Sequence, residues 1–133
     1  MSDQPRTFAA PEISPETAPY WEAAERGELL VKTCSACGKA HYYPRTLCPF
    51  CFSADTRWEK AKGTGSVYSY SVMRRAAVPY VMAYVTLDEG VTMMTNIVDC
   101  DVDDVSIDDR VAVVFKATEG GPPIPCFTPL RDA

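Results

Sequence analysis

Four cysteines in two spaced pairs, Cys34-Ser35-Ala36-Cys37 and Cys48-Pro49-Phe50-Cys51, limit what this chain can fold into more than any other feature. A CxxC turn brings two sulfurs to one side of a tight loop, and two such turns complete the tetrahedral thiolate shell that Zn²⁺ favours. Gly38 follows the first pair, where a knuckle calls for positive φ, and Lys32 and Lys39 offset the charge of a tetrathiolate centre. The spacing predicts a zinc ribbon held by Cys34, Cys37, Cys48 and Cys51. Its metal is structural, because four thiolates leave no open position for water or substrate. A rubredoxin-like iron centre would use the same ligands, and thiolate softness alone does not separate the two metals.

No other residues assemble into a self-sufficient active site. His41, the one histidine in the chain, lies between the knuckles, and it reads as a partly exposed strand residue rather than a ligand or base. Cys100 sits between Asp99 and Asp101, which raise its pKa, and Cys126 lies in an apolar segment suited to packing. No nucleophile-elbow motif is present. The six aspartates between Asp99 and Asp109 lack the glycine and glutamate of an EF-hand type loop, so they read as a solvated connection.

Charge and hydropathy narrow the function classes further. With 13 Lys+Arg against 18 Asp+Glu, the net charge of −5 opposes sequence-independent nucleic-acid binding, which needs a basic footprint. No apolar run is long enough to cross a bilayer, and Met1 to Arg6 does not resemble a signal peptide; a cytoplasmic protein with no membrane partner is expected. In that setting six cysteines point to metal binding, not to a disulfide framework.

Along the chain, residues 1–12 read as a flexible or partner-docked tail and residues 13–27 as an N-terminal helix. Ser14-Pro15 is one candidate start and Ala18-Pro19 another, with Gly27 as the stop. Residues 28–60 form the ribbon, with strands over 28–33 and 41–44. Residues 61–133 hold strands over 65–73, 80–87, 91–98 and 111–116, the spacing of a small antiparallel barrel. Beyond Gly120 the chain is too proline-rich for a central strand, and a short edge strand is expected over Cys126 to Thr128.

The order of parts resembles a known family. Tyr20-Trp21, Gly27-Glu28-Leu29-Leu30, the knuckle pair, Gly63-Thr64-Gly65-Ser66-Val67-Tyr68, Leu87-Asp88-Glu89-Gly90, Thr95-Asn96-Ile97-Val98 and Phe127-Thr128-Pro129 are similar to the zinc-ribbon/OB-fold acyl-CoA-associated proteins, long catalogued as a domain of unknown function. One departure lies at Ile107-Asp108-Asp109-Arg110, where a glycine is usual in the turn. The resemblance implies a mainly β protein with an N-terminal helix, a rubredoxin-like zinc ribbon and a five-stranded OB barrel. It implies a non-catalytic subunit of a thiolase, aldolase or acyltransferase acting on coenzyme A thioesters, with an α2β2 heterotetramer expected. In that frame Arg45, Arg74 and Arg75 are candidates for the CoA phosphates. Tyr42, Tyr43, Phe50 and Phe52 are candidates for a partner face, and Met73, Met82, Met93 and Met94 could extend it. Competing readings are a single-stranded nucleic-acid module, which acidity disfavours, and a free-standing acyl-CoA binder.

Overall fold

A computed structural model describes residues 7–130. The helix α1 spans Ala18–Glu25, with proline in its first turn, so the later of the two candidate starts is the one used. Upstream, Thr17 N–H donates to the Ser14 carbonyl (3.0 Å), forming a turn ahead of the helix. Tyr20, Trp21, Ala23 and Ala24 are the buried face of α1, and Gly27, at φ 76°, turns the chain out of it.

Strands β1 (Leu30–Cys34), β2 (Ala40–His41) and β3 (Thr56–Lys60) form a three-stranded antiparallel sheet in the order β2-β1-β3. β1 runs into the first knuckle and β2 leaves it. β3, which sequence patterning does not single out, pairs with the whole of β1 from Leu30↔Lys60 to Cys34↔Thr56.

Strands β4 (Thr64–Met73), β5 (Tyr80–Leu87), β6 (Thr92–Ile97), β7 (Arg110–Lys116) and β8 (Ile124–Pro129) close into a barrel in the order β4-β5-β6-β8-β7. Alternation decides which side chains fill it. Val81, Ala83, Val85 and Leu87 of β5 and Met93, Thr95 and Ile97 of β6 are buried. Gly65 is needed where β4 meets β5, since a Cβ there would stand 2.5 Å from the Thr86 carbonyl oxygen.

The C-terminal segment corrects the sequence reading. It is not an edge strand: β8 pairs with β7 over six residues and touches β6 through Ile97↔Phe127, closing the barrel. Its prolines are tolerated because the β6 side of the ladder is thin, and the Pro125 carbonyl still accepts a bond from the Thr95 hydroxyl (3.1 Å). Phe127, fully buried, anchors it. At the other end of the chain, Phe8 and Ala9 pair with Glu119, whose N–H donates to the Phe8 carbonyl (3.0 Å).

The apolar core is continuous across the parts. Tyr20, Trp21 and Ala24 of α1, Leu29 and Val31 of the ribbon, and Ala61 between β3 and β4 join the barrel residues in one cluster. The helix therefore wedges ribbon and barrel together, and the ribbon is held at a fixed position over the β5–β6 end.

Candidate functional site

The two knuckles are built alike. In the first, Gly38 N–H donates to the Cys34 carbonyl (2.9 Å) and Cys34 N–H to the Lys39 carbonyl (2.9 Å). In the second, Phe52 N–H donates to the Cys48 carbonyl (2.8 Å) and Cys48 N–H to the Ser53 carbonyl (2.9 Å). Gly38 and Phe52 hold the same place and both take positive φ, 77° and 64°. Glycine does this without steric cost, whereas phenylalanine does not.

This folding brings the four sulfurs together. All lie within 4.8 Å of one another, with Cys34 to Cys51 at 3.6 Å and Cys37 to Cys48 at 3.7 Å. A tetrahedron with metal–sulfur bonds of about 2.3 Å has edges of about 3.8 Å, so the cluster fits a tetrathiolate metal. The separations are far too long for disulfides. Backbone N–H groups supply part of the stabilisation for negative sulfur. The Cys37 N–H, with that of Ala36, draws the Cys34 thiol down, and although burial pushes Cys48 up, the N–H groups of Cys51 and Phe50 bring it to about 7. Cys51 goes the other way, for although the Ser53 N–H draws it down, burial and the three neighbouring sulfurs push it up to about 12. Four thiolates this close repel one another strongly unless a cation sits among them. Cys34 and Cys48 are buried and Cys37 and Cys51 exposed, so the centre lies at the surface of the ribbon tip.

His41 is buried, which corrects the expectation of partial exposure. Its Nε2 accepts the Arg45 backbone N–H (3.2 Å), so it braces the turn between the knuckles, and burial lowers its pKa. Glu16 ties the same loop to the segment before α1, its carboxylate accepting the Thr46 N–H (2.9 Å) and hydroxyl (2.8 Å).

The aromatic candidates divide into two groups. The Tyr42 hydroxyl is bonded to that of Tyr20 (2.8 Å), and Trp21 Nε1–H donates to the Tyr43 hydroxyl (2.9 Å), so both tyrosines fasten the ribbon to α1. Burial first, then the neighbouring tyrosines, pushes Tyr20 well up, and burial takes Tyr42 to about 12; neither ionises near neutrality. Phe50 and Phe52 instead project from the second knuckle, 56% and 75% exposed, with Lys39 Nζ 5.1 Å above the Phe50 ring. Of the methionines, Met93 is core, Met73 and Met82 are half-buried, and Met94 faces out.

The arginine candidates are not brought to one place. Arg74 and Arg75 line a groove with Val72 and Tyr80 at the β4–β5 turn, and Arg74 is ion-paired with Asp103. Arg45 lines a different groove, about 360 Å³, between Phe50 of the knuckle and Gly90 to Thr92 of the barrel. Sequence reasoning missed Tyr68, 69% exposed, and Tyr84, both on the outside of the barrel; the strict alternation of β5 was the signal that could have found Tyr84. It also missed a mainly apolar cavity of about 450 Å³ between the Phe8 segment and Tyr80, Ile97 and Val102.

Residues 21–57 match the profile of the ChsH2 rubredoxin-like zinc ribbon domain, and residues 58–116 that of the ChsH2 C-terminal OB-fold domain. A DUF35 domain-containing scaffold protein of Methanothermobacter thermautotrophicus is 36% identical over 109 residues, covering 76% of this chain and 82% of that one. The chain belongs to the DUF35 family. A chain of the solved structure described as Ltp2-ChsH2(DUF35) aldolase aligns to this DUF35 protein with a TM-score of 0.78 and 34% identity, over 90% of this chain and 98% of that one. A protein of Thermomonospora curvata described as a probable enoyl-CoA hydratase alpha subunit is 34% identical over 124 residues. The chain covers 39% of that longer relative. A DUF35 structure from Sulfolobus solfataricus, with a TM-score of 0.64 at 13% identity, shares the fold. The junction of the two profile matches falls within β3, and β8, which closes the barrel, lies beyond them.

Proposed function

We propose that this DUF35 protein is a non-catalytic accessory subunit of a thiolase-superfamily enzyme, thiolase, aldolase or acyltransferase, that makes or breaks a C–C bond in an acyl-CoA thioester. The observation that carries the reading is the end-to-end likeness to a chain of the Ltp2-ChsH2(DUF35) aldolase. The word scaffold in the names of two archaeal relatives, and the CoA chemistry in the name of a third, point the same way. The residues themselves are consistent with it: among the described residues the one histidine is buried with Nε2 engaged by backbone. In this reading Cys34, Cys37, Cys48 and Cys51 hold a structural zinc, and the catalytic groups belong to the partner. Arg45, Arg74 and Arg75 contact CoA phosphates, Phe50 and Phe52 meet the partner, and the complex is an α2β2 heterotetramer of the cytoplasm. The acyl groups are those of aromatic or steroid side-chain degradation.

Native mass spectrometry of the protein purified gently from its source cells tests this. The expected species holds equal copies of this chain and a thiolase-like chain, with one zinc per copy of this chain. Recovery of the protein alone, or with nucleic acid, would overturn the reading.

A further inference from the structure

The outer face of β4, β5 and β6 is chemically unlike a solvated sheet. Because Val81, Ala83, Val85 and Leu87 point inward, Met82, Tyr84 and Thr86 point outward, and on β6 the outward residues are Thr92, Met94 and Asn96. These six meet as cross-strand pairs, Tyr84↔Met94, Met82↔Asn96 and Thr86↔Thr92. β4 extends the face: Ser69 lies opposite Tyr84 and Ser71 opposite Met82, while the register shift between Val67 and Ser69 pushes Tyr68 out beside them. None of these nine residues is charged. At the chain's 23% of charged residues about two would be expected even without the usual preference of charge for solvent.

The face does not stop at the barrel. Thr92 lines the seam groove with Pro49 and Phe50, so the surface runs from Tyr68 across Tyr84 and Met94 onto the second zinc knuckle, where Arg45 in the groove and Lys39 over the Phe50 ring bring positive charge to its far end. There Phe52 carries a positive φ that its counterpart Gly38 takes without strain, and its ring is three-quarters exposed, so the strained residue adds little to the chain's own packing. Tyrosine, phenylalanine and methionine at the centre with charge removed is the composition of a protein–protein interface.

We infer that this continuous face, centred on Tyr84 and Met94 and ending at Phe50 and Phe52, is where the catalytic subunit of the proposed acyl-CoA enzyme docks. The inference rests on that functional reading and adds the surface to it. The closed barrel offers no strand edge on this side, so contact is made by side chains and not by strand addition. Nucleic acid is a poor occupant, since it requires cations that these positions lack. A second copy is disfavoured because it would bring two chains of net charge −5 face to face. The matching surface on the partner is apolar and hydroxyl- or amide-bearing at its centre, with carboxylates where it meets Lys39 and Arg45 at the knuckle end.

The test uses the complex recovered from source cells and the thiolase-like chain isolated from it. Association is measured by sedimentation velocity for the native protein, for Y84D and M94D, for the milder Y84S and M94Q, and for E119K at the β7–β8 connection as a control. Zinc content and far-ultraviolet circular dichroism confirm folding. The inference predicts at least a hundredfold weaker association for the aspartate variants, at least tenfold for the neutral ones, and no change for E119K. Native affinity in folded Y84D and M94D would overturn the docking face while leaving the accessory-subunit reading standing. Failure of the native protein to bind a thiolase-like chain would overturn both. Self-association abolished by Y84D would assign the face to a second copy and overturn the inference.

Discussion

At the scale of single residues, the two knuckles offer an internal comparison. Gly38 and Phe52 occupy equivalent positions with the same hydrogen bonds and positive φ, yet only glycine is suited to that backbone. Replacing Phe52 with glycine should raise the unfolding free energy by about 1 kcal/mol by relieving a left-handed L-residue. Chemical denaturation of F52G against the native protein measures the gain, and the same variant should bind the catalytic subunit more weakly. Asp108 takes a φ of 70°, and the turn is held by bonds between its N–H and the Val67 carbonyl (2.8 Å) and between Val67 N–H and the Asp109 carbonyl (2.9 Å). Aspartate is among the residues that visit this region, so D108G should leave Tm unchanged or slightly higher. Valine there should lower it by several degrees in a thermal melt. The knuckle cysteines were legible because ligand chemistry fixes their spacing locally. The roles of Tyr42 and Tyr43 were not, because their hydroxyls find partners 22 residues away in α1, and no local pattern encodes that distance.

Among the elements, β8 is the one that sequence reading understated and on which barrel closure depends. Propensity argues against a strand containing Pro125 and Pro129, but the long-range pairing with β7 and the burial of Phe127 override it. Phe127→Ala should cost about 3–5 kcal/mol, the usual range for emptying a fully buried phenylalanine site, and a urea titration would show it. β3 escaped notice for a similar reason, since its half-exposed residues carry little alternation and its pairing with β1 supplies the order. β5 and β6 were legible because their alternation is strict, whereas the register shift in β4 between Val67 and Ser69 leaves no mark in its sequence pattern. At the open ends of these strands Asp88 accepts two bonds from Arg110 (2.9 and 3.1 Å) and one from the Thr64 hydroxyl, clasping the β5–β6 turn to the starts of β7 and β4. The Arg110 guanidinium, then Thr64, holds the Asp88 carboxyl down at about 2 against an ordinary 3.8. With the folded pKa below the unfolded one, the contribution is complete above about pH 4 and is lost as pH falls from there towards 2. The Tm difference between the native protein and D88N should therefore be constant from pH 7 to 5 and shrink below pH 4.

For the molecule as a whole, helix, ribbon and barrel share one apolar cluster, and the four cysteines that would hold a metal lie at the ribbon tip outside it, so in the proposed reading the metal orders the knuckle surface. Removing the metal with a chelator should free the knuckles, lower Tm and weaken association with the proposed catalytic subunit by loosening the Phe50 and Phe52 end of the docking face. Binding energy for a structural tetrathiolate zinc is on the order of ten kcal/mol, far more than the knuckle hydrogen bonds supply. The barrel's own ladders should keep its far-ultraviolet signal at room temperature while the ribbon's tryptophan, Trp58, with Lys32 Nζ 4.4 Å above its ring, changes its fluorescence. The measurement that reaches the central claim most directly is the rate of C–C cleavage of an acyl-CoA thioester by the thiolase-like chain alone, by this chain alone and by the two together. The account predicts no turnover by this chain, little by the thiolase-like chain, and full activity only in the mixture. Turnover by this chain alone, or an unchanged rate when it is omitted, would contradict it.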